Sequence, residues 1–183
     1  MILGCVLAGG QSSRFGSDKA LAELHGHTLI ARAVDSLSGW CEYVVVVGRE
    51  LAPAPTLPDW PRPHMGPLAG IAAALHLARD DGYAAVLTCG VDSAVLPENL
   101  PGLLAPAPAF LADQPVIGLW PASALAAIEA ILTSEGRHSM RQFAEAVGAR
   151  AVISTTATAN INTPADLTGL ENRDARGSRT LPD

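Results

Sequence analysis

The chain has 183 residues, 49% of them hydrophobic and 16% charged, which suits one domain with a sizeable core and excludes a disordered chain. Its formal net charge of −6 excludes the broad basic face that a nucleic-acid partner requires. No apolar run is long enough to cross a bilayer, and Met1-Ile2-Leu3 enters the first apolar run without a basic leader, so a cytoplasmic location is expected.

Met1 to Leu7 reads as a buried strand bounded by glycine. It opens into Leu7-Ala8-Gly9-Gly10-Gln11-Ser12-Ser13-Arg14-Phe15-Gly16-Ser17-Asp18-Lys19. A glycine-rich loop after a strand can aim several N–H groups into one concavity that suits phosphate, and Arg14 and Lys19 add positive charge. The competing reading is a polar surface loop with two stray cations. No G-x-x-x-x-G-K-[ST] and no G-x-G-x-x-G is present, so neither a Walker loop nor the dinucleotide fingerprint applies.

His25-Gly26-His27 reads as a turn rather than a metal pair. Thr28 can cap a helix that puts Leu29, Ile30, Ala33, Val34 and Leu37 on one face and stops at Gly39. Tyr43 to Val47 is a β-branched run, expected as a strand buried on both faces. From Leu51 to Met65, five prolines argue for a long binding loop without regular structure. Gly66-Pro67-Leu68-Ala69-Gly70 then opens a helix to about Arg79, whose first turn offers free N–H groups.

Gly82 breaks that helix, Ala84 to Cys89 is a third buried strand, and Pro97 opens a helix towards Leu104. Alternating strands and helices imply a parallel sheet with ligands outside the carboxyl ends of its strands. The glycine loop, the proline loop and Asp92 therefore share one rim. Ala109–Ala112 and Val116–Trp120 read as strands, with antiparallel pairing possible around Asp113-Gln114-Pro115. Helices over 121–132 and 140–147, a strand over 150–154 and a short helix to Leu170 follow. The polar stretch 171–183 is expected to be a frayed tail behind a domain of residues 1–170. Cys5, Cys41 and Cys89 are odd in number and far apart, which favours reduced core thiols; without C-x-x-C or H-E-x-x-H, zinc is not expected. The expected fold is a single Rossmann-like α/β/α domain whose mostly parallel sheet gains some antiparallel pairing in its second half.

Four segments together resemble the MobA-like nucleotidyltransferases, from Met1 to about Leu170 and in the same order. They are Leu7-Ala8-Gly9-Gly10-x-Ser12-x-Arg14-x-Gly16-x-Asp18-Lys19, Gly66-Pro67-Leu68-Ala69-Gly70, Asp92 with Pro97, and Asn160-x-Asn162-Thr163-Pro164. Gly118-Leu119-Trp120-Pro121 narrows the match, and Gly9-Gly10 looks more like the guanylyl enzymes than their cytidylyl relatives. The resemblance implies a nucleotide-diphospho-sugar transferase-like fold. It implies transfer of GMP from GTP to the phosphate of molybdopterin, with or without molybdenum, and release of pyrophosphate.

On that resemblance, the loop amides from Leu7 through Ala8 and Gly9 to Gly10, with Arg14 and Lys19, would hold the triphosphate. Gly66, Pro67 and Leu68 would line the nucleotide site, and Asp92 would hold Mg²⁺ together with phosphate oxygens. Asp59 would recognise guanine, because a carboxylate accepts from N1–H and N2–H₂ at once. Asn160 and Asn162 would lie on the acceptor side, against the plainer reading of an Asx-turn pair. Asp92 and Asp59 have plain readings too, as a capping aspartate and a loop aspartate. Two departures stand out. Val91-Asp92-Ser93-Ala94 lacks the proline of the family's Cys-Asp-x-Pro, and no asparagine follows the second strand at Val47-Gly48-Arg49. Asp18 has no assigned task beyond orienting Lys19. Another phosphorylated acceptor, such as a sugar phosphate, cytidylyl transfer, or a non-catalytic nucleotide-binding module are the other readings, and oligomeric state is left open.

Overall fold

The computed structural model describes residues 1–9, 18–154 and 159–177. Strand β1 (Ile2–Leu7) lies inside the main sheet, flanked by two parallel neighbours. After it come a 3-10 turn (Lys19–Leu21), the small strands β2 (Glu23–Leu24) and β3 (His27–Thr28), helix α1 (Leu29–Ser38) and strand β4 (Tyr43–Val47). The β2–β3 connection is His25-Gly26, with φ of 54° and 76°, so both central residues take the left-handed conformation of a tight hairpin. Histidine here is turn chemistry, and among the described residues no group of three or more His, Cys, Asp or Glu could hold a metal. Thr28 caps α1 through its hydroxyl, which accepts from Ala31 N at 3.3 Å, and the five expected residues of α1 are buried.

Strand β5 (Thr56–Leu57), helix α2 (Pro67–Asp81), strands β6 (Ala85–Gly90) and β7 (Ser93–Val95) and helix α3 (Leu100–Leu104) follow. The proline loop thus contains a short strand after all: β5 extends the sheet beside β4, because its two residues fall between prolines. Helix α3 begins at Leu100 rather than Pro97, after a turn in which Leu100 N donates to the Pro97 carbonyl. Strand β7, absent from the sequence reading, is three residues long.

The second half holds strands β8 (Ala109–Leu111) and β9 (Gln114–Pro121), helices α4 (Leu125–Thr133) and α5 (Met140–Ala146), strands β10 (Arg150–Val152) and β11 (Ala159–Asn160), and helix α6 (Pro164–Gly177). The expected helix over 121–132 starts late, because Pro121 still belongs to β9 and Ala122–Ala124 form a 3-10 turn. Pro115 sits inside β9 without breaking a rung to β6, whose register ends at Gly118. Helix α6 runs on to Gly177, past the expected end at Leu170. Residues 171–177 therefore belong to the helix, although their sequence carries no apolar period.

The seven-stranded sheet has the order β10-β8-β9-β6-β1-β4-β5. Strands β6, β1, β4 and β5 are mutually parallel, while β9 runs antiparallel to β6 and β8, so the expected antiparallel pairing is real. Side chains alternate across it with the strand period of two. Leu3, Cys5, Val45 and Val47 pack against α2, α4 and α5; Val6, Val44 and Val46 pack against α1 and α3. Each fully buried Val, Leu or Ile contributes about 1.5–3 kcal/mol, so both faces of the sheet are held strongly. A third, small cluster of Leu24, Leu29 and Ile161 seats Leu167 and Leu170 of α6 on the β2–β3 hairpin. Burial pushes the Cys5 thiol far up and those of Cys41 and Cys89 to about 12, in keeping with protonated core thiols. Among the described residues, no helix is long and apolar enough to cross a membrane.

Candidate active site

The parallel strands β1, β4 and β6 end together, and the chain leaves each of them through a site segment. From β1, the described part of the loop is Ala8 and Gly9. Leu7 still belongs to the strand, paired with Val47 and Gly90, and the Ala8 N–H donates to the Val47 carbonyl at 2.9 Å. That N–H is spent inside the sheet, which corrects the expectation that Ala8 offers it to phosphate. Leu7 and Gly9 line the cleft. Gly10 and Arg14 lie outside the described residues.

After that loop, Asp18 caps the 3-10 turn by accepting from Ala20 N at 3.2 Å, and Lys19 points across the strand ends. Its Nζ is 3.2 Å from Asp92 Oδ2 and 3.3 Å from Asn162 Oδ1. Three stretches far apart in sequence therefore converge on one ammonium group. Asp92 stands two residues past the end of β6. Its carboxylate folds back over Gly90, where a Cβ would collide with Asp92 Oδ1, so glycine at that strand end makes room for the acid.

The Asn160–Pro164 segment is tied to the same spot. Asn160 pairs with Ser93 in the β11–β7 ladder, and Ile161 N donates to the Asp92 carbonyl at 2.9 Å. Asp166 accepts from Asn162 N and Thr163 N, while Asp166 N donates back to Thr163 Oγ1, a reciprocal cap for α6. The two backbone N–H groups on its oxygen, with the Thr163 hydroxyl beside them, hold the carboxyl of Asp166 below its ordinary value. Because the cap uses Asp166, the Asn162 side chain is directed to Lys19 instead of an Asx turn.

Across the strand ends lies the proline loop. Asp59 and His64 line both of two adjoining clefts, of about 560 Å³ and 270 Å³. The larger also takes Gly48, Arg49 and Thr56; the smaller takes Gly66, Pro67, Gly70 and Asp92. Trp60 N donates to the Ala69 carbonyl at 3.1 Å, which pins the residue after Asp59 to the first turn of α2. Burial raises the Asp59 carboxyl above its ordinary value, and nearby His64 opposes that rise. Leu68 is wholly buried in the core, so its side chain packs under the site instead of lining it. Gly70 permits this closeness: a Cβ there would sit 2.7 Å from Leu7 Cδ2 and 3.3 Å from Val47 Cγ1.

Sequence reasoning missed three participants. Arg49 grips Asp18 with a two-pronged contact, Nη1 to Oδ1 at 2.8 Å and Nη2 to Oδ2 at 2.7 Å. Gly48, at φ 87°, packs its Cα against Gly9, and a Cβ on it would come 2.6 Å from Gly9 N. His64, at φ 66°, lines both clefts together with Asp59. The available signal was Gly-Arg immediately after a buried strand, at the rim where ligands bind.

A model of the MobA-like NTP transferase domain matches residues 4–155. The chain is 37% identical to the molybdenum cofactor guanylyltransferase of Rhodobacter capsulatus, over 94% of this chain and 96% of that protein. It is 35% identical to the molybdenum cofactor guanylyltransferase of Acidiphilium cryptum, over 91% and 92%. In fold it is similar to the molybdopterin-guanine dinucleotide biosynthesis protein A of Archaeoglobus fulgidus, with a TM-score of 0.75 at 20% identity, over 95% of this chain and 99% of that one. The 4-diphosphocytidyl-2C-methyl-D-erythritol synthase of Anaerococcus prevotii superposes with a TM-score of 0.70 at 15% identity, over 96% and 98%. The motifs, their convergence at one rim and these matches agree: the chain belongs to the MobA-like NTP transferase family.

Proposed function

We propose that the protein transfers GMP from GTP to the terminal phosphate of molybdopterin, with or without its molybdenum, and releases pyrophosphate. The observation that carries this reading is the meeting of Lys19, Asp92 and Asn162 at the ends of the parallel strands, with Asp59 across the cleft. The names of the two relatives support guanine as the base and the molybdenum cofactor as the product's destination.

The chemistry suits such a site. An oxygen of the acceptor phosphate attacks the α-phosphorus of GTP, and the bond from that phosphorus to the bridging oxygen breaks. The electron pair leaves with pyrophosphate. The nucleophile is already an anion, so no strong base is needed; the obstacle is charge, met by in-line positioning and fixed cations. Lys19 supplies an ammonium that exchanges Asp92 for phosphate oxygens. Asn162 steadies the ammonium from the acceptor side. Asp59 accepts two hydrogen bonds from the guanine edge, a pair that adenine and cytosine do not present.

Mg²⁺ fits the donors present. Asp92 is a partly exposed hard-oxygen ligand in a cradle that a Gly90 Cβ would fill, and one carboxylate beside phosphate oxygens is a common shell for this ion. When bound, the ion would neutralise negative charge on the phosphates and the departing pyrophosphate.

Thermal denaturation tests the reading. GTP with Mg²⁺ is expected to raise the melting temperature, and ATP and CTP far less. Equal shifts with all three nucleotides would contradict it.

A further inference from the structure

We propose that Arg49 is a positioning residue for Lys19: from the end of β4 it holds and neutralises Asp18, the residue that precedes the lysine and caps its turn. The inference deepens the reading of this cleft as a nucleoside triphosphate site and rests on it.

Asp18 is the neighbour of Lys19 in sequence, and its carboxylate is engaged from two sides. Oδ1 accepts from Ala20 N, which fixes the start of the 3-10 turn; both oxygens receive the Arg49 fork at 2.8 and 2.7 Å. Arg49 is itself anchored. Its Nε donates to the Leu51 carbonyl, and it follows β4, which is paired on both sides by β1 and β5. Gly48, one residue earlier, lies against Gly9. The backbone of Lys19 is thus referenced to the end of β4 through its neighbour Asp18. A lysine has a flexible four-carbon stem, so its ammonium stays in one place only if its backbone is held.

Charge gives the pair a second effect. Without Arg49, the Asp18 carboxylate would stand beside the incoming polyphosphate as an uncompensated anion. It would repel the phosphates and compete with them for Lys19. The planar guanidinium, which matches a carboxylate with two parallel bonds, cancels that charge where a lysine in its place would do so with one. The Arg49 contact also holds the Asp18 carboxyl below its ordinary value, so the carboxylate stays ionised and paired over the working pH range.

Calorimetric titration with GTP and with inorganic triphosphate, on the full chain, tests this. Arg49→Ala should weaken both about tenfold, the loss of one charge-assisted contact, and Arg49→Lys by less. The loss should vanish in a Lys19→Met background. Asp18→Asn should restore part of it, because the amide keeps the capping oxygen and removes the negative charge. A fold defect alone would not be rescued in this way. A full tenfold loss on top of Lys19→Met, with no rescue by Asp18→Asn, would overturn the proposal. Melting temperatures without ligand separate the two claims. Arg49→Ala and Lys19→Met should lower them less than additively. If they do so while the wild-type protein binds neither ligand, the triphosphate reading fails and the clasp stands; additive losses overturn the clasp.

Discussion

Gly48→Ala is the substitution whose cost follows most directly from the geometry. The residue sits at φ 87°, and its Cα faces Gly9 so closely that a Cβ would be 2.6 Å from the Gly9 nitrogen. The opposing atoms are backbone, so no side-chain rotation relieves the clash. A left-handed conformation costs an L-residue about 1–2 kcal/mol. Overpacking against a fixed neighbour adds about 1–3 kcal/mol. The sum, roughly 2–5 kcal/mol, corresponds in a chain of this size to a melting temperature lowered by roughly 5–15 °C. Gly39→Ala is the control: its φ is −70° and a Cβ there would touch only the Ser36 carbonyl, at 3.6 Å. Scanning calorimetry with urea titration reads both variants. Gly48→Ala should lose stability and, because Gly9 must move, nucleotide affinity; Gly39→Ala should match the parent. A Gly48→Ala protein that melts with the parent would refute the claim that the two loops are packed backbone to backbone.

Asp92→Ala should reduce GMP transfer by about 10²–10³-fold, the scale of removing one transition-state stabiliser, while far-UV dichroism and melting stay close to the parent. Transfer at the parental rate would remove Asp92 from the account. Asp59→Asn should weaken GTP about ten- to a hundredfold relative to ATP and CTP, since the amide sets an N–H₂ against guanine's own donors. The parent should also lose GTP affinity as pH falls through the raised carboxyl value of Asp59, because protonation removes the acceptor; the Asn variant should show no such limb. A parental limb in the Asn variant would assign it elsewhere. Thr88→Val should cost about 1–3 kcal/mol in urea unfolding: the buried Trp120 Nε1–H now donates to Thr88 Oγ1 at 3.0 Å and would have no partner. An unchanged unfolding free energy would show that the indole finds another acceptor.

Much of the fold was legible because strand and helix periods were clean. Val44 to Val47 alternate between the two core faces, Thr28 caps α1 through its hydroxyl, and Gly39 follows the last residue of that helix. Elements of two or three residues were not legible. Strands β5 and β7 are held by neighbours already in the sheet or by β11, not by any preference of their own. The site divided in the same way. Asp92, Lys19 and Asn162 sat in recognisable motifs; the parallel topology put the glycine loop and Asp92 on one rim, whereas Asn162 reaches it through the antiparallel β11–β7 pair. The Asp18–Arg49 clasp, 31 residues apart in sequence, has no motif, because it depends on how β4 lies beside β1. Helix α6 shows the opposite failure: a polar sequence without an apolar stripe still forms a helix once Asp166 caps it and Leu167 and Leu170 anchor it.

The most direct test of guanylyl transfer follows the α-phosphate. With GTP labelled at that position, Mg²⁺ and molybdopterin, the account predicts that label appears in a product carrying the acceptor, with one pyrophosphate released per transfer. It predicts far less transfer from labelled CTP. GTP that binds but stays intact in the presence of the acceptor, or equal transfer from CTP, would contradict it.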